Sequence, residues 1–140
     1  MTDPTTTDCP DSDPTKRLLL VACNRNFRRT LERILCRCGY VVDGAANGEE
    51  ALARIDRSRY DAVISEVVLS GNVCGLTVLD QVRRRYPKLP IILLTEGETA
   101  RMRSALEQCG DVNCLTLPVD VDQLKRLIAT TTRVVDPSGQ

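Results

Sequence analysis

The chain has 140 residues, 42% of them hydrophobic, which is enough for one domain with a single core and too few for two comfortable ones. Its 19 basic and 19 acidic side chains cancel, so no broad basic field favours nucleic acid or an anionic membrane surface. The opening MTDPTTTDCPDSDPTK has neither a basic nor an apolar signal region, and no apolar run is long enough to span a bilayer; a cytoplasmic protein is expected.

Residues 1–15 are acidic and rich in Pro and Thr, and are expected to be a disordered tail ahead of a domain over 16–132. Leu18-Leu19-Leu20-Val21 then reads as a strand buried on both faces. Phe27, Leu31, Ile34, Leu35 and Cys38 recur at steps of three and four, arginines fill the other face, and Gly39 supplies the stop of a first helix. Tyr40-Val41-Val42 is a second strand. Asn47 caps a second helix with Glu49 and Glu50 in its first turn and Ala51, Leu52 and Ile55 turned inward.

The third strand runs from Tyr60 to Glu66, before a turn through Leu69, Ser70 and Gly71. A carboxylate at the end of a buried strand costs desolvation unless something binds it, so Glu66 needs a partner or access to water or a ligand. Leu76, Leu79 and Val82 mark a third helix that stops near Tyr86, because Pro87 and Pro90 follow. Ile91 to Thr95 is the most apolar strand. Residues 99–109 give a weaker helix with Ala105, Leu106 and Cys109 inward, ended by Gly110. Asn113 to Leu117 is a fifth strand, and Asp120 caps a last helix using Leu124, Leu127 and Ile128. Residues 133–140 are expected to be a loose tail.

Five βα units with apolar strands imply a parallel sheet covered on both faces, since the crossovers are right-handed and cannot all fit on one side. Ligands of such sheets bind outside the carboxyl ends of the strands, where the strand order reverses. Those ends carry Ala22, Cys23 and Asn24, then Glu66, then Thr95 and Glu96, then Leu117-Pro118. No glycine-rich phosphate loop follows the first strand. The seven cysteines have no repeated spacing and no His to join them, so they read as small buried hydrophobes rather than a disulfide framework or zinc site.

The order and spacing of LLLVACNRNFRRTLERIL, GYVVDGAANGEEAL, YDAVISEVVLSG, YPKLPIILLT and LTLPVDVDQL resemble the receiver domain of two-component response regulators over residues 16–130. The resemblance implies a flavodoxin-like, CheY-like, doubly wound α/β fold of strand order 2-1-3-4-5 with five flanking helices. It also implies an Asp on the third strand that accepts a phosphoryl group, an acidic pair holding Mg²⁺, a Lys on the fifth strand and a Ser or Thr on the fourth. Here Glu66 stands at the phosphoacceptor position, Ala22-Cys23 at the acidic pair, Leu117 at the Lys and Cys114 at the aromatic switch; only Thr95 is kept.

Mg²⁺ takes near-octahedral oxygen ligands and usually carboxylate charge, whereas Ala22 offers nothing and Cys23 a soft sulfur. Mg²⁺ binding is therefore expected to be lost, with no other cofactor, and catalysed self-phosphorylation to fail. The extra methylene carries the Glu66 carboxylate toward the space of a relative's phosphoryl group, where it would accept the Thr95 hydroxyl as a built-in mimic of phosphorylation. The other reading leaves Glu66 pointing to solvent and Thr95 capping its own turn.

The function these replacements imply is a non-enzymatic pseudo-receiver: an atypical single-domain response regulator that binds a protein partner, a histidine kinase or downstream target, without phosphorylation. No output domain is expected after residue 132. By the resemblance, the face of the fourth helix, fifth strand and fifth helix carries target and dimer contacts, and presents Arg101, Arg103, Asp122, Lys125 and Arg126. Two alternatives stand beside it: a domain still phosphorylated on Glu66 by a kinase, and a redox sensor built on Cys23.

Overall fold

A computed structural model describes residues 16–67, 75–97, 100, 103, 104, 107 and 112–133. The expected tail at 1–15, all of the expected tail at 133–140 but Arg133, the turn at Leu69-Ser70-Gly71 and most of the expected helix at 99–109 lie outside the described residues; 100, 103, 104 and 107 are helical, and Arg133 belongs to the last helix rather than to a loose tail. Five parallel strands, β1 (Arg17–Val21), β2 (Val41–Ala45), β3 (Ala62–Glu66), β4 (Ile91–Thr95) and β5 (Val112–Thr116), form one sheet of order β2-β1-β3-β4-β5. This is the flavodoxin-like arrangement expected. The fully described helices are α1 (Arg25–Arg37), α2 (Gly48–Arg57), α3 (Gly75–Arg85) and α4 (Val121–Arg133).

Strand residues alternate between two cores because successive side chains leave a strand on opposite faces. Leu19, Val21, Val63, Ile91 and Leu93 pack with Ala51 and Ile55 of α2 and Val78, Leu79 and Val82 of α3. Leu18, Leu20, Ala62, Ile64, Ile92 and Leu94 pack on the other face with Leu31 and Leu35 of α1 and Leu124 and Ile128 of α4. Both faces of the central strands are thus covered, which is why they read as unbroken apolar runs rather than alternations.

Helix ends follow local chemistry. Asn24 Oδ1 accepts from Phe27 N (2.9 Å), Asn47 Oδ1 from Glu50 N (2.8 Å) and Asp120 Oδ1 from Gln123 N (3.2 Å). Glu50 Oε1 reaches back to Ala46 N (2.7 Å), completing a reciprocal cap. Gly39, at φ 100°, takes the left-handed turn that ends α1, its N–H donating to Cys36 O (3.0 Å). A Cβ is penalised in that conformation, so Gly39→Ala should lower the unfolding free energy by about 1 kcal/mol, measured by urea denaturation.

The fifth strand runs one residue earlier than expected, Val112–Thr116 rather than Asn113–Leu117, and the boundaries of the second and third shift for a shared reason. The second strand continues past the expected Val42 to Ala45, and the third begins at Ala62 rather than Tyr60. Asp43 is tolerated in β2 because its carboxylate accepts from Arg17 Nη2 (2.8 Å) and Tyr60 Oη (2.7 Å), while Arg17 N donates to Asp61 Oδ2 (2.7 Å). The guanidinium of Arg17 also lies 5.3 Å from the Tyr60 ring centroid. Tyr60 and Asp61 therefore tie the sheet's lower end from a loop, not from the strand.

These contacts set an acid dependence. Burial pushes the Asp43 carboxyl up, but the hydrogen bonds from Tyr60 and Arg17 and the charges of Arg17 and Arg54 outweigh it and leave the group below its ordinary value. Glu50 is lowered as well, first by the Ala46 N–H against a burial effect, then by Arg54. A carboxylate depressed in the folded state contributes stability above its unfolded pKa and loses it as pH falls through the folded value. Melting temperature should hold from neutral pH down to about 4.5 and drop below it, more steeply than in Asp43→Asn, by circular dichroism across that range.

Candidate functional site

The carboxyl ends of β1 and β3 lie side by side where the strand order reverses, with Val21 opposite Ser65 and Glu66 one residue further on. Glu66 is half-buried, and its carboxylate is not left to solvent. Its Oε1 accepts the backbone N–H of Cys23 at 3.1 Å, with the Cys23 Sγ at 3.8 Å. An amide donating to a carboxylate makes a charge-assisted bond, and this one ties the end of β3 to the loop between β1 and α1. The partner of Glu66 is thus a main-chain donor.

Ala22 is wholly buried beneath this contact, its N–H on Ala45 O (3.0 Å) and its carbonyl accepting from Arg28 Nη1 (2.8 Å). The Arg28 guanidinium has Glu32 Oε2 3.9 Å from its Nε, so this cation is held at the foot of α1. Thr95, buried at the end of β4, does not meet Glu66. Its hydroxyl donates to Gly97 O (2.8 Å) and accepts from Gly97 N (3.1 Å), so the expected Glu66–Thr95 bond gives way to a local turn that satisfies both functions of the hydroxyl.

Leu117 follows β5, donates its N–H to Thr95 O (2.7 Å) and packs half-buried against the α1/α4 core with Val119 and Leu127. A leucine side chain there is held by apolar contact where an ammonium would seek the cleft. Cys114 sits on the opposite face of β5, opposite Leu93, half-buried against the α2/α3 core. Arg103, Asp122, Lys125 and Arg126 are exposed, the last three on α4, and Arg101 lies outside the described residues.

The cysteines correct one expectation. Cys23 and Cys36 are exposed, and Cys38 and Cys114 are only half-buried, so none of the four described is a buried hydrophobe. Cys36 follows Leu35 by one helical step of about 100°, which carries it off the core face. Cys9, Cys74 and Cys109 lie outside the described residues. Among the described residues, no three His, Cys, Asp or Glu side chains gather into a metal-binding set.

Two features of the site carried no signal in side-chain patterns: the Cys23 amide as the partner of Glu66, and Arg28 on the Ala22 carbonyl.

Comparison with known proteins agrees with the fold. The family model described as the response regulator receiver domain matches residues 18–129. The transcriptional regulatory protein TcrA of Mycobacterium tuberculosis is 34% identical over 108 residues, covering 77% of this chain and 42% of that protein. Response regulator MprA of Mycobacterium leprae is 33% identical over 121 residues, covering 86% of this chain and 53% of its own length. The chain thus spans about half or less of these relatives. Among solved structures, response regulator TrrA of Thermotoga maritima, in complex with Mg²⁺-BeF, superposes with TM-score 0.73 at 33% identity, covering 84% of this chain and 99% of TrrA. Chemotaxis protein CheY4 of Vibrio cholerae gives 0.76 at 26% identity, covering 84% and 99%. With a parallel sheet in receiver order and a family match over most of its length, this chain belongs to the response regulator receiver domain family.

Proposed function

We propose that this receiver domain is a pseudo-receiver, a non-enzymatic cytoplasmic module of two-component signalling that acts by binding a protein without being phosphorylated. The observation that carries the reading is the engagement of the Glu66 carboxylate by the Cys23 amide, with Ala22 buried next to Cys23 in the chain and Leu117 packed into the α1/α4 core. A phosphoryl acceptor needs a free oxygen in line with the donor and cations around the transferring group. The extra methylene of Glu66 moves both of its oxygens away from where an aspartate's would stand, Oε1 is tied to the Cys23 amide, and Leu117 supplies no charge.

The donor set does not suit Mg²⁺. A hard ion needs several oxygens; here one carboxylate faces a thiol and a methyl group, so no step is routed through a metal. Consistent with a water-borne module, no described helix is long and apolar enough to cross a membrane. The contact face is the exposed surface of α4 with Arg103, through Asp122, Lys125 and Arg126, and its partner is a histidine kinase, a downstream target or a second copy.

Incubation with acetyl phosphate and Mg²⁺, read by intact mass, should leave the protein unmodified. An adduct of one phosphoryl group that disappears in Glu66→Gln would instead establish the phosphorylated alternative. The exposure of Cys23 is the one feature that favours a thiol sensor; that reading requires Cys23 to react with a thiol probe faster than a model peptide does.

A further inference from the structure

The neutral total charge of the chain conceals a polarised distribution. Helix α1 carries five arginines against one glutamate, and that glutamate faces Arg28. The other four, Arg25, Arg29, Arg33 and Arg37, recur at steps of four and are all exposed. None of the four forms an ion pair with a described residue. At about 1.5 Å rise per residue they make one ribbon of guanidinium groups about 18 Å long, drifting by about 40° at each step.

Such a ribbon works against its own helix. Like charges four apart repel across one turn, and the first turn holds Arg25 and Arg28 with no acid, at the end where the helix dipole favours anions. By contrast α2 places Glu49 and Glu50 in its first turn and Arg54 and Arg57 in its last, the arrangement that the dipole rewards. An unpaired cationic ribbon calls for an anionic counterpart.

The chain contains one of matching size. Residues 1–15 hold Asp3, Asp8, Asp11 and Asp13 and no Lys or Arg. They lead into Lys16, whose carbonyl accepts from Val41 N at 2.9 Å, so the segment joins the domain just past the Gly39 turn that closes α1. Asp13 is three residues from Lys16 in sequence, and Lys16 is fixed near the Arg37 end of α1. The ten residues from Asp13 back to Asp3 reach at most about 33 Å, ample for the ribbon. Pro4, Pro10 and Pro14 remove N–H donors, which disfavours strand addition and leaves charge as the means of recognition.

We propose that residues 1–15 are an anionic strap that docks on the Arg25-Arg29-Arg33-Arg37 ribbon of the same molecule. The contact covers the exposed face of α1 and yields it to a stronger polyanion or to salt. Because the strap is tethered at Lys16, its effective concentration at the ribbon is in the millimolar range, which lets individually weak exposed ion pairs act together.

The test labels arginines of the full-length protein with phenylglyoxal and follows each site by mass spectrometry, with exposed Arg57 as the internal reference. The comparison is with a variant carrying Asp3→Asn, Asp8→Asn, Asp11→Asn and Asp13→Asn, which touches no core residue. In about 20 mM salt, Arg29 and Arg33 should react about threefold more slowly in the natural chain, and in about 1 M salt the two proteins should react alike. Equal rates at low salt would overturn the proposal, as would protection that survives high salt. Protection lost on dilution would assign the strap to a second copy and also contradict it.

Discussion

Replacing Gly75 by alanine is expected to lower the unfolding free energy by about 3 kcal/mol. Gly75 opens α3, and its N–H donates to Val67 O at 2.8 Å, so the helix starts directly against the end of β3. A Cβ built there meets Glu66 O and Glu66 C and comes within 2.7 Å of Val67 Cα. All three are backbone atoms of the segment that presents Glu66, and backbone cannot swing aside as a side-chain tip does. Relief requires α3 to move off the sheet, which exposes part of Val78, Leu79 and Val82. The melting temperature should fall by about 10 °C in a thermal scan. Gly44→Ala is the control: its Cβ would meet mainly the Glu32 carboxylate and Arg28 Cδ, flexible side-chain atoms, so its cost should stay below about 1 kcal/mol.

A chain carrying Ala22→Asp, Cys23→Asp, Glu66→Asp and Leu117→Lys together should gain Mg²⁺ binding and accept a phosphoryl group from acetyl phosphate. The two aspartates after β1 would stand beside the shortened acid on β3, supplying the hard oxygens that one carboxylate cannot. Glu66→Asp removes the methylene that lets the carboxylate reach the Cys23 amide, and Leu117→Lys places a cation above the cleft. Since positioning and charge neutralisation provide most of the catalysis in phosphoryl transfer, the gain should exceed about 10²-fold over the natural chain in rate of modification. If the four changes leave a folded protein that takes neither metal nor phosphoryl, the loss lies elsewhere in the cleft.

The sheet was legible because burial on both faces writes a strand as a plain apolar run, as Leu18–Val21 and Ile91–Thr95 do. Gly39, Asn47 and Asp120 marked helix ends because backbone geometry and orphan N–H groups demand those residue types. Periodicity could not extend β2 through Asp43, since a polar strand residue is explained only by partners from elsewhere, here Arg17 and Tyr60. It missed Val78 as a core residue of α3 for a related reason, because the stripe that packs is set by the helix's approach to the sheet.

The candidate site was legible in its residue types and opaque in its bonds. The positions Ala22, Cys23, Glu66, Thr95 and Leu117 converge on the strand ends as the order of elements requires. Which group would hold Glu66 could not be read, because a main-chain N–H belongs to every residue and leaves no mark in the letters. The turn of Thr95 onto Gly97 was open for the same reason: a hydroxyl has many partners within reach, and the nearest backbone won.

Isothermal titration of the natural chain with MgCl₂ at neutral pH tests the reading most directly. A single carboxylate held by an amide, with a methyl and a thiol beside it, predicts no saturable heat. Saturating uptake of one ion per chain, abolished by Glu66→Gln, would contradict it.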